Sequence, residues 1–239
     1  MKIGVQLYSM HDVSTNLGLA ESIKRAHEYG YDSVEFAGYF GLSTLEILRL
    51  LDKYELEAAG IHQDLGELRS DFDGVLKTAK ELGSYSLCVP YYKSETVEGW
   101  IDFAKELDEY GKRFNDAGIL FGFHNHAHEF FPIDGQLPID LIFEISDKDN
   151  VFFQMDTFHV VNGKHSPVEY AKKYSGRIPV IHVKDNKDGG DCAVGQGCVD
   201  FPSVFKNAGD IKAYVVENEK FGKNEKELID SAAYLKSIL

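Results

Sequence analysis

Several short apolar runs in this chain end in groups that titrate or bind metals. They read Val34-Glu35-Phe36, Gly60-Ile61-His62-Gln63, Phe123-His124-Asn125-His126, Gln154-Met155-Asp156, Ile181-His182-Val183-Lys184-Asp185 and Val215-Val216-Glu217. A buried, unpaired carboxylate or imidazole is costly, so each needs a partner, and a metal ion is one that serves several at once. Asp156, His182 and Glu217 end three consecutive runs at matching depth. Two carboxylates and an imidazole form an oxygen/nitrogen donor set suited to Mn²⁺, Mg²⁺, Co²⁺ or Zn²⁺. Taken singly, the other groups have plainer readings. Glu35 fits a hydrogen-bonding anchor, His62 a satisfied histidine, His126 and His128 loop positions facing water, and Asp185 a cap or loop residue.

These runs need a scaffold that brings their ends together. Eight β-rich segments are expected at Ile3–Tyr8, Ser33–Phe36, Ala58–Gln63, Ser86–Pro90, Leu120–His124, Val151–Asp156, Pro179–Lys184 and Ala213–Glu217. Helical stretches alternate with them, near Leu17–Tyr29, Ser43–Tyr54, Asp71–Leu82, Glu95–Asn115, Pro138–Ile145, Pro167–Tyr174, Phe201–Asn207 and Glu225–Leu239. Regular strand–helix alternation predicts βαβ units and a parallel sheet. Eight units in one chain predict an α/β fold, a single (β/α)₈ TIM barrel over 1–239, with the strand ends opening on one mouth. Gly30, Gly83 and Gly118 follow helical runs, where a left-handed C-cap suits glycine. Asp188–Gly197 is the longest expected loop.

The 239 residues carry 25 basic and 39 acidic side chains, a formal net charge of −14. That balance argues against gripping nucleic acid or an anionic membrane, both of which need a basic face. No apolar run approaches the ~20 residues of a membrane span. The first ten residues, MKIGVQLYSM, hold no long apolar segment of the signal-peptide kind. The three cysteines, Cys88, Cys192 and Cys198, form no C-x-x-C pair, which removes a disulfide framework or zinc knuckle. A cytoplasmic location follows as the expectation, and homo-oligomerisation stays open.

At its strand ends the sequence resembles the sugar phosphate isomerase/epimerase superfamily, the xylose isomerase-like TIM barrels. The resemblance runs along essentially the whole chain. It is carried by Gly4-Val5-Gln6-Leu7-Tyr8-Ser9, by Phe123-His124-Asn125-His126-Ala127-His128-Glu129-Phe130, and by Asp156-Thr157-Phe158-His159. His182-Val183-Lys184-Asp185, Gly195-Gln196-Gly197-Cys198-Val199-Asp200-Phe201 and Val215-Val216-Glu217 complete it in the superfamily's order. Gln196 stands where the last loop usually has glutamate.

The resemblance implies one divalent ion, held by Glu, Asp, His and Glu from strands five to eight. Three of these carry over onto Asp156, His182 and Glu217; the strand-five glutamate falls on Gly122, which cannot ligate. His124, Glu129 or water is left to fill the place. The implied chemistry is metal-assisted proton transfer next to a carbonyl, making the chain an isomerase or epimerase of a small sugar, keto-sugar or polyol. Loss of one glutamate raises a lyase or hydratase on a keto-sugar or 3-keto-glycoside as the alternative. An abasic-site endonuclease is disfavoured by the charge, and a non-catalytic sugar-binding barrel by the Asp-His-Glu set. Glu217 is the expected base, with His124 or Lys184 as acid. Glu35, His62, His126, His159 and Tyr8 are the expected substrate contacts, and Phe40, Tyr91 and Trp100 further mouth residues.

Overall fold

The computed structural model describes residues 2–239. Its strands are β1 (Lys2–Gln6), β2 (Ser33–Phe36), β3 (Glu57–His62), β4 (Ser86–Val89), β5 (Leu120–His124), β6 (Phe152–Asp156) and β7 (Val180–Val183). A short antiparallel hairpin, β8 (Asp185–Lys187) and β9 (Gly190–Cys192), precedes β10 (Ala213–Val216). β1 to β7 and β10 pair in parallel and close into a barrel, with β10 between β7 and β1. This is the single (β/α)₈ barrel that the alternation predicts. No helix among the described residues is long and apolar enough to cross a membrane.

Alternate strand residues face opposite ways, and the two faces differ in size. Outward-facing Val34, Phe36, Phe121, Phe123 and Phe153 pack beneath the helices in one large core. Inside the barrel a smaller cluster of Ala59, Cys88, Phe152, Val180, Ala213 and Val215 plugs the lower half. Above this plug the inward positions turn polar: Gln6, Glu35, His62, His124, Gln154, Asp156 and His182. The plug seals the bottom, so the polar layer opens only toward the C-terminal ends of the strands.

Several boundaries differ from expectation. β1 stops at Gln6, because Leu7–Met10 turns into a 3₁₀ helix whose entry is capped by the Gln6 side chain accepting from Tyr8 N at 3.0 Å. The first expected helix, Leu17–Tyr29, is found at Leu19–Glu28, and an additional helix, His11–Leu17, precedes it across Gly18 with φ +91°. Short helices at Leu65–Ser70 and Thr157–Asn162 follow β3 and β6, where the sequence reading places no element. Asp64 and Asp156 cap them by accepting from Glu67 N and His159 N. The expected loop Asp188–Gly197 contains β9.

Gly122 is not a vacancy. It sits opposite Phe152 in register, and a Cβ there would lie 2.6 Å from the Phe152 carbonyl oxygen and 2.8 Å from its ring. The missing side chain makes room for the apolar plug, below the level of the polar layer. Gly60 serves the polar layer itself: a Cβ would come within 2.5 Å of Glu35 Oε1.

Candidate metal centre and substrate cleft

Barrel closure brings His124, Asp156, His182 and Glu217 together. Each offers a donor atom, and all four atoms lie within 4.8 Å of one another. All four residues are buried. Asp156 and His182 are register partners across β6 and β7, and Glu217 follows directly on β10. Of the two candidates for the strand-five place, the structure brings His124 into the group. Glu129 goes elsewhere, because a 3₁₀ turn over His128–Phe130 folds its carboxylate back to accept from His126 N at 2.9 Å.

Two of the four donor residues carry an atom without the partner that buried polar groups normally have. Asp156 Oδ2 and His124 Nδ1 are buried and make no hydrogen bond. His182 Nδ1 lies 2.8 Å from Glu217 Oε2 and 4.0 Å from Asp156 Oδ2. At 2.8 Å the imidazole and the carboxylate share a proton, and a metal ion would take that proton's place only with a small widening of the pair. Burial opposes the charged imidazole at His182, but the Glu35 and Glu217 carboxylates outweigh it and raise its pKa to about 10. Burial pushes the Asp156 carboxyl up to about 7. Without a metal the site thus takes up protons, as an oxygen/nitrogen ligand set does when its cation is replaced. The residues present fit a divalent ion.

Beneath the four donors lies an orienting layer. His182 Nε2 donates to Glu35 Oε2 at 2.5 Å, which turns Nδ1 toward Asp156 and Glu217. Glu35 also accepts from Gln6 Nε2 at 2.8 Å and Gln154 Nε2 at 2.6 Å, and lies 3.1 Å from His62 Nε2. A carboxylate that fixes the far nitrogen of a ligand histidine sets its tautomer and orientation. Burial works against the Glu35 anion, but His62 and His182 outweigh it and hold the carboxyl well below the usual range. Glu35, expected as a substrate contact, is fully buried with both oxygens engaged, so it serves as a positioning residue.

The motif residues divide similarly between cleft and support. Asn125 Oδ1 accepts from Asp156 N at 2.8 Å, and Thr157 Oγ1 donates to Lys184 O at 2.7 Å, tying β5 to β6 and β6 to the chain beyond β7. Asp185, read as a loop residue, accepts four backbone N–H groups, those of Asn186, Gly195, Gly197 and Val199, at 2.8–3.1 Å. Lys184 is buried with its ammonium 3.4 Å from Glu219 Oε2 and 5.0 Å from the Phe158 ring centroid. Burial opposes that ammonium, but Glu217, Asp156 and Glu219 outweigh it and raise its pKa.

A cleft of about 580 Å³ opens above the cluster. Glu217 and His124 are the two clustered donors that reach it, joined by His62, His126, Tyr8 and Tyr91. Asp156 and His182 lie behind them. Lys184 and His159 do not line the cleft; His159 backs His126 with ring centroids 4.7 Å apart. Burial, reinforced by neighbouring imidazoles, holds His124 and His126 neutral, His126 at about 3. Burial opposes the Glu217 anion as well, but Lys184 and His182 hold it ionised. Trp100, expected at the mouth, is instead core, its ring against Tyr92 and Phe103. Gln6, Gln154 and Glu219 are site residues that the sequence reading missed. Gln154 carried a signal, since it shares a strand face with Asp156 two residues on.

A sequence profile of the xylose isomerase-like TIM barrel matches residues 23–238. The chain belongs to that family. Among xylose isomerase-like relatives, an inosose dehydratase from Clostridium beijerinckii is 27% identical over 135 residues, 48% of this chain and 44% of the relative. One from Mesomycoplasma hyopneumoniae is 26% identical over 200 residues, 74% of this chain and 65% of the relative. The chain therefore spans less than two thirds of either. A sugar phosphate isomerase/epimerase from Parabacteroides distasonis superposes with a TM-score of 0.82 at 25% identity, covering 99% of this chain and 94% of that one. An IolI protein with a bound zinc atom shares the fold, with a TM-score of 0.74 at 17% identity over 99% of this chain and 96% of that one.

Proposed function

We propose that this chain is a divalent-metal-dependent enzyme that removes a proton next to the carbonyl of a keto-sugar or keto-polyol ring and expels water from that ring, a lyase. The observation that carries this reading is the asymmetry of the cluster. Glu217 is the single carboxylate among the four donors that faces the cleft, and His124 stands where a second would be needed. The bound metal would polarise the carbonyl and stabilise the charge that develops on its oxygen. Glu217, held ionised, takes the proton from the neighbouring carbon. On the same face it returns that proton to the departing hydroxyl, so one carboxylate completes a syn elimination. His62 and His126 offer hydrogen bonds to the ring hydroxyls. Inversion by two bases would need a second free base opposite Glu217, and His124, whose buried Nδ1 has no hydrogen-bond partner, would be taken up as a ligand when the ion is bound.

The cleft also argues for an uncharged substrate. Its lining includes Asp64, Glu67, Glu217 and Glu219 and no lysine or arginine. A phosphate dianion held away from the metal cluster would meet repulsion from that lining. The inosose dehydratase relatives support the elimination. Isomerisation, with the proton returned to carbon, is the second reading, supported by the similarity to a sugar phosphate isomerase/epimerase.

The test is to load the protein with Mn²⁺, Co²⁺, Zn²⁺ or Mg²⁺ in D₂O and supply keto-inositols and ketohexoses. Loss of water with a new conjugated carbonyl in the ultraviolet is the expected result. Deuterium at the carbon beside the carbonyl without loss of water would move the isomerase to first place. No exchange with any substrate and metal would overturn both.

A further inference from the structure

We infer that the substrate is a two-ring, uncharged glycoside. Its keto-ring sits over the metal cluster and its second ring stacks on an aromatic ledge formed by Tyr8, Phe40 and Phe221. This rests on the reading of the same mouth as the substrate site, and it names the substrate class.

The first ground is size. A six-carbon polyol has about twelve heavy atoms. Even at the ~30 Å³ that liquid water takes per heavy atom, it would fill roughly 360 Å³. The cleft holds about 580 Å³. A monosaccharide leaves more than a third of the main cleft empty.

The second ground is the ledge. Tyr8 lines the cleft and is 39% exposed; Phe40 and Phe221 lie beyond it and are each 40% exposed. Tyr8 and Phe221 meet edge to face at 5.5 Å, and His11 bridges from Tyr8 at 5.3 Å to Phe40 at 5.7 Å. Three loops thus contribute one continuous aromatic surface that leads out of the cleft. Holding it has a cost: Phe40 has φ +50°, a left-handed conformation unfavourable for a bulky side chain, set between Gly38 and Gly41 at φ +93° and +82°. A surface loop has no folding reason to put phenylalanine there, since glycine or asparagine would be relaxed. Exposed aromatic faces in a site lined by carboxylates suit the C–H face of a sugar or the π-face of an aromatic aglycone, and repel anions.

The experiment measures binding, so that it does not depend on turnover. Metal-loaded protein is titrated calorimetrically with methyl glucoside, phenyl glucoside, cellobiose and glucose 6-phosphate. Phenyl glucoside or cellobiose, whichever second ring fits, is expected to bind about tenfold tighter than methyl glucoside, with glucose 6-phosphate weakest. In Phe40→Gly, which suits the backbone, and in Phe221→Ala, the ratio of two-ring to one-ring affinity should fall to roughly twofold. Equal affinities for one and two rings, or a preference that survives both variants, overturns the ledge. So does concentration-dependent dimerisation that these variants abolish, which would assign the aromatic surface to a second copy of the chain. Failure of proton exchange in D₂O alongside a retained two-ring preference would refute the lyase and leave the ledge standing.

Discussion

Glu217 and Glu129 show how position decides what a buried carboxylate does. Glu217 is held ionised by Lys184 and His182 and opens on the cleft. Glu217→Gln should lower kcat by about 100-fold or more, with a smaller effect on melting, because general-base contributions are of that order. Unchanged turnover at saturating metal would remove it from the role of base. Glu129 is equally buried, but the His128 imidazole 3.4 Å from it is kept neutral by its own burial, and desolvation pushes the Glu129 carboxyl up to about 8. The folded state therefore holds a proton that the unfolded chain releases near the ordinary glutamate value of 4.5. Its contribution to stability is complete below that value and is lost as pH rises through about 8. Glu129→Gln keeps an oxygen for His126 N and removes the proton. Relative to the parent, the variant should gain on the order of 1–2 kcal/mol between pH 5 and pH 9. Parallel denaturation curves at both pH values would show Glu129 ionised in the fold.

At the level of elements, two short stretches hold the mouth in shape. Asp185 gathers four backbone N–H groups of the segment after β7. Asp185→Ala strands those donors, and even partial rescue by water should leave a loss of about 3 kcal/mol. In a domain of this size that is roughly 6–12 °C in melting temperature. A change under about 2 °C would show the loop to be held by something else. The β5–β6 pair depends on Gly122. Gly122→Ala puts a methyl against the Phe152 backbone, where neither strand can give way, and should cost about 2 kcal/mol. Gly122→Glu should disrupt the plug itself and cannot restore a strand-five ligand. A stable Gly122→Glu protein with tighter metal binding would contradict the assigned register.

For the whole molecule, the four-donor cluster couples distant parts of the chain. The donors come from four strands between His124 and Glu217, and Glu35 and Gln6 support them from the N-terminal quarter. An ion that binds the closed barrel and not the unfolded chain stabilises all of it. At a hundredfold excess over Kd the gain is about 2.7 kcal/mol, or several degrees in melting temperature. Chelator should lower the melting temperature of the parent and leave Asp156→Asn or His124→Ala almost unmoved. An equal response in parent and variants would place any bound ion elsewhere.

The sequence by itself determined the architecture and the composition of the mouth. Strand–helix alternation dictates the parallel barrel, and the two-residue period of strands puts Asp156, His182 and Glu217 on its inner face near one end. Both are local properties, legible in any window of a few residues. Tertiary structure decided what depends on stagger between strands and on loop closure. Glu35 lies 147 residues from His182, and only the closed barrel makes it that histidine's anchor and not a substrate contact. His124 and Glu129 are five residues apart, and a single 3₁₀ turn sends one to the metal group and the other to a backbone N–H. Gly122 reads as an absent ligand along the chain, yet the neighbouring strand brings Phe152 into its space. In each case the deciding atom belongs to a different strand or lies across a turn, where sequence periodicity carries no information about distance.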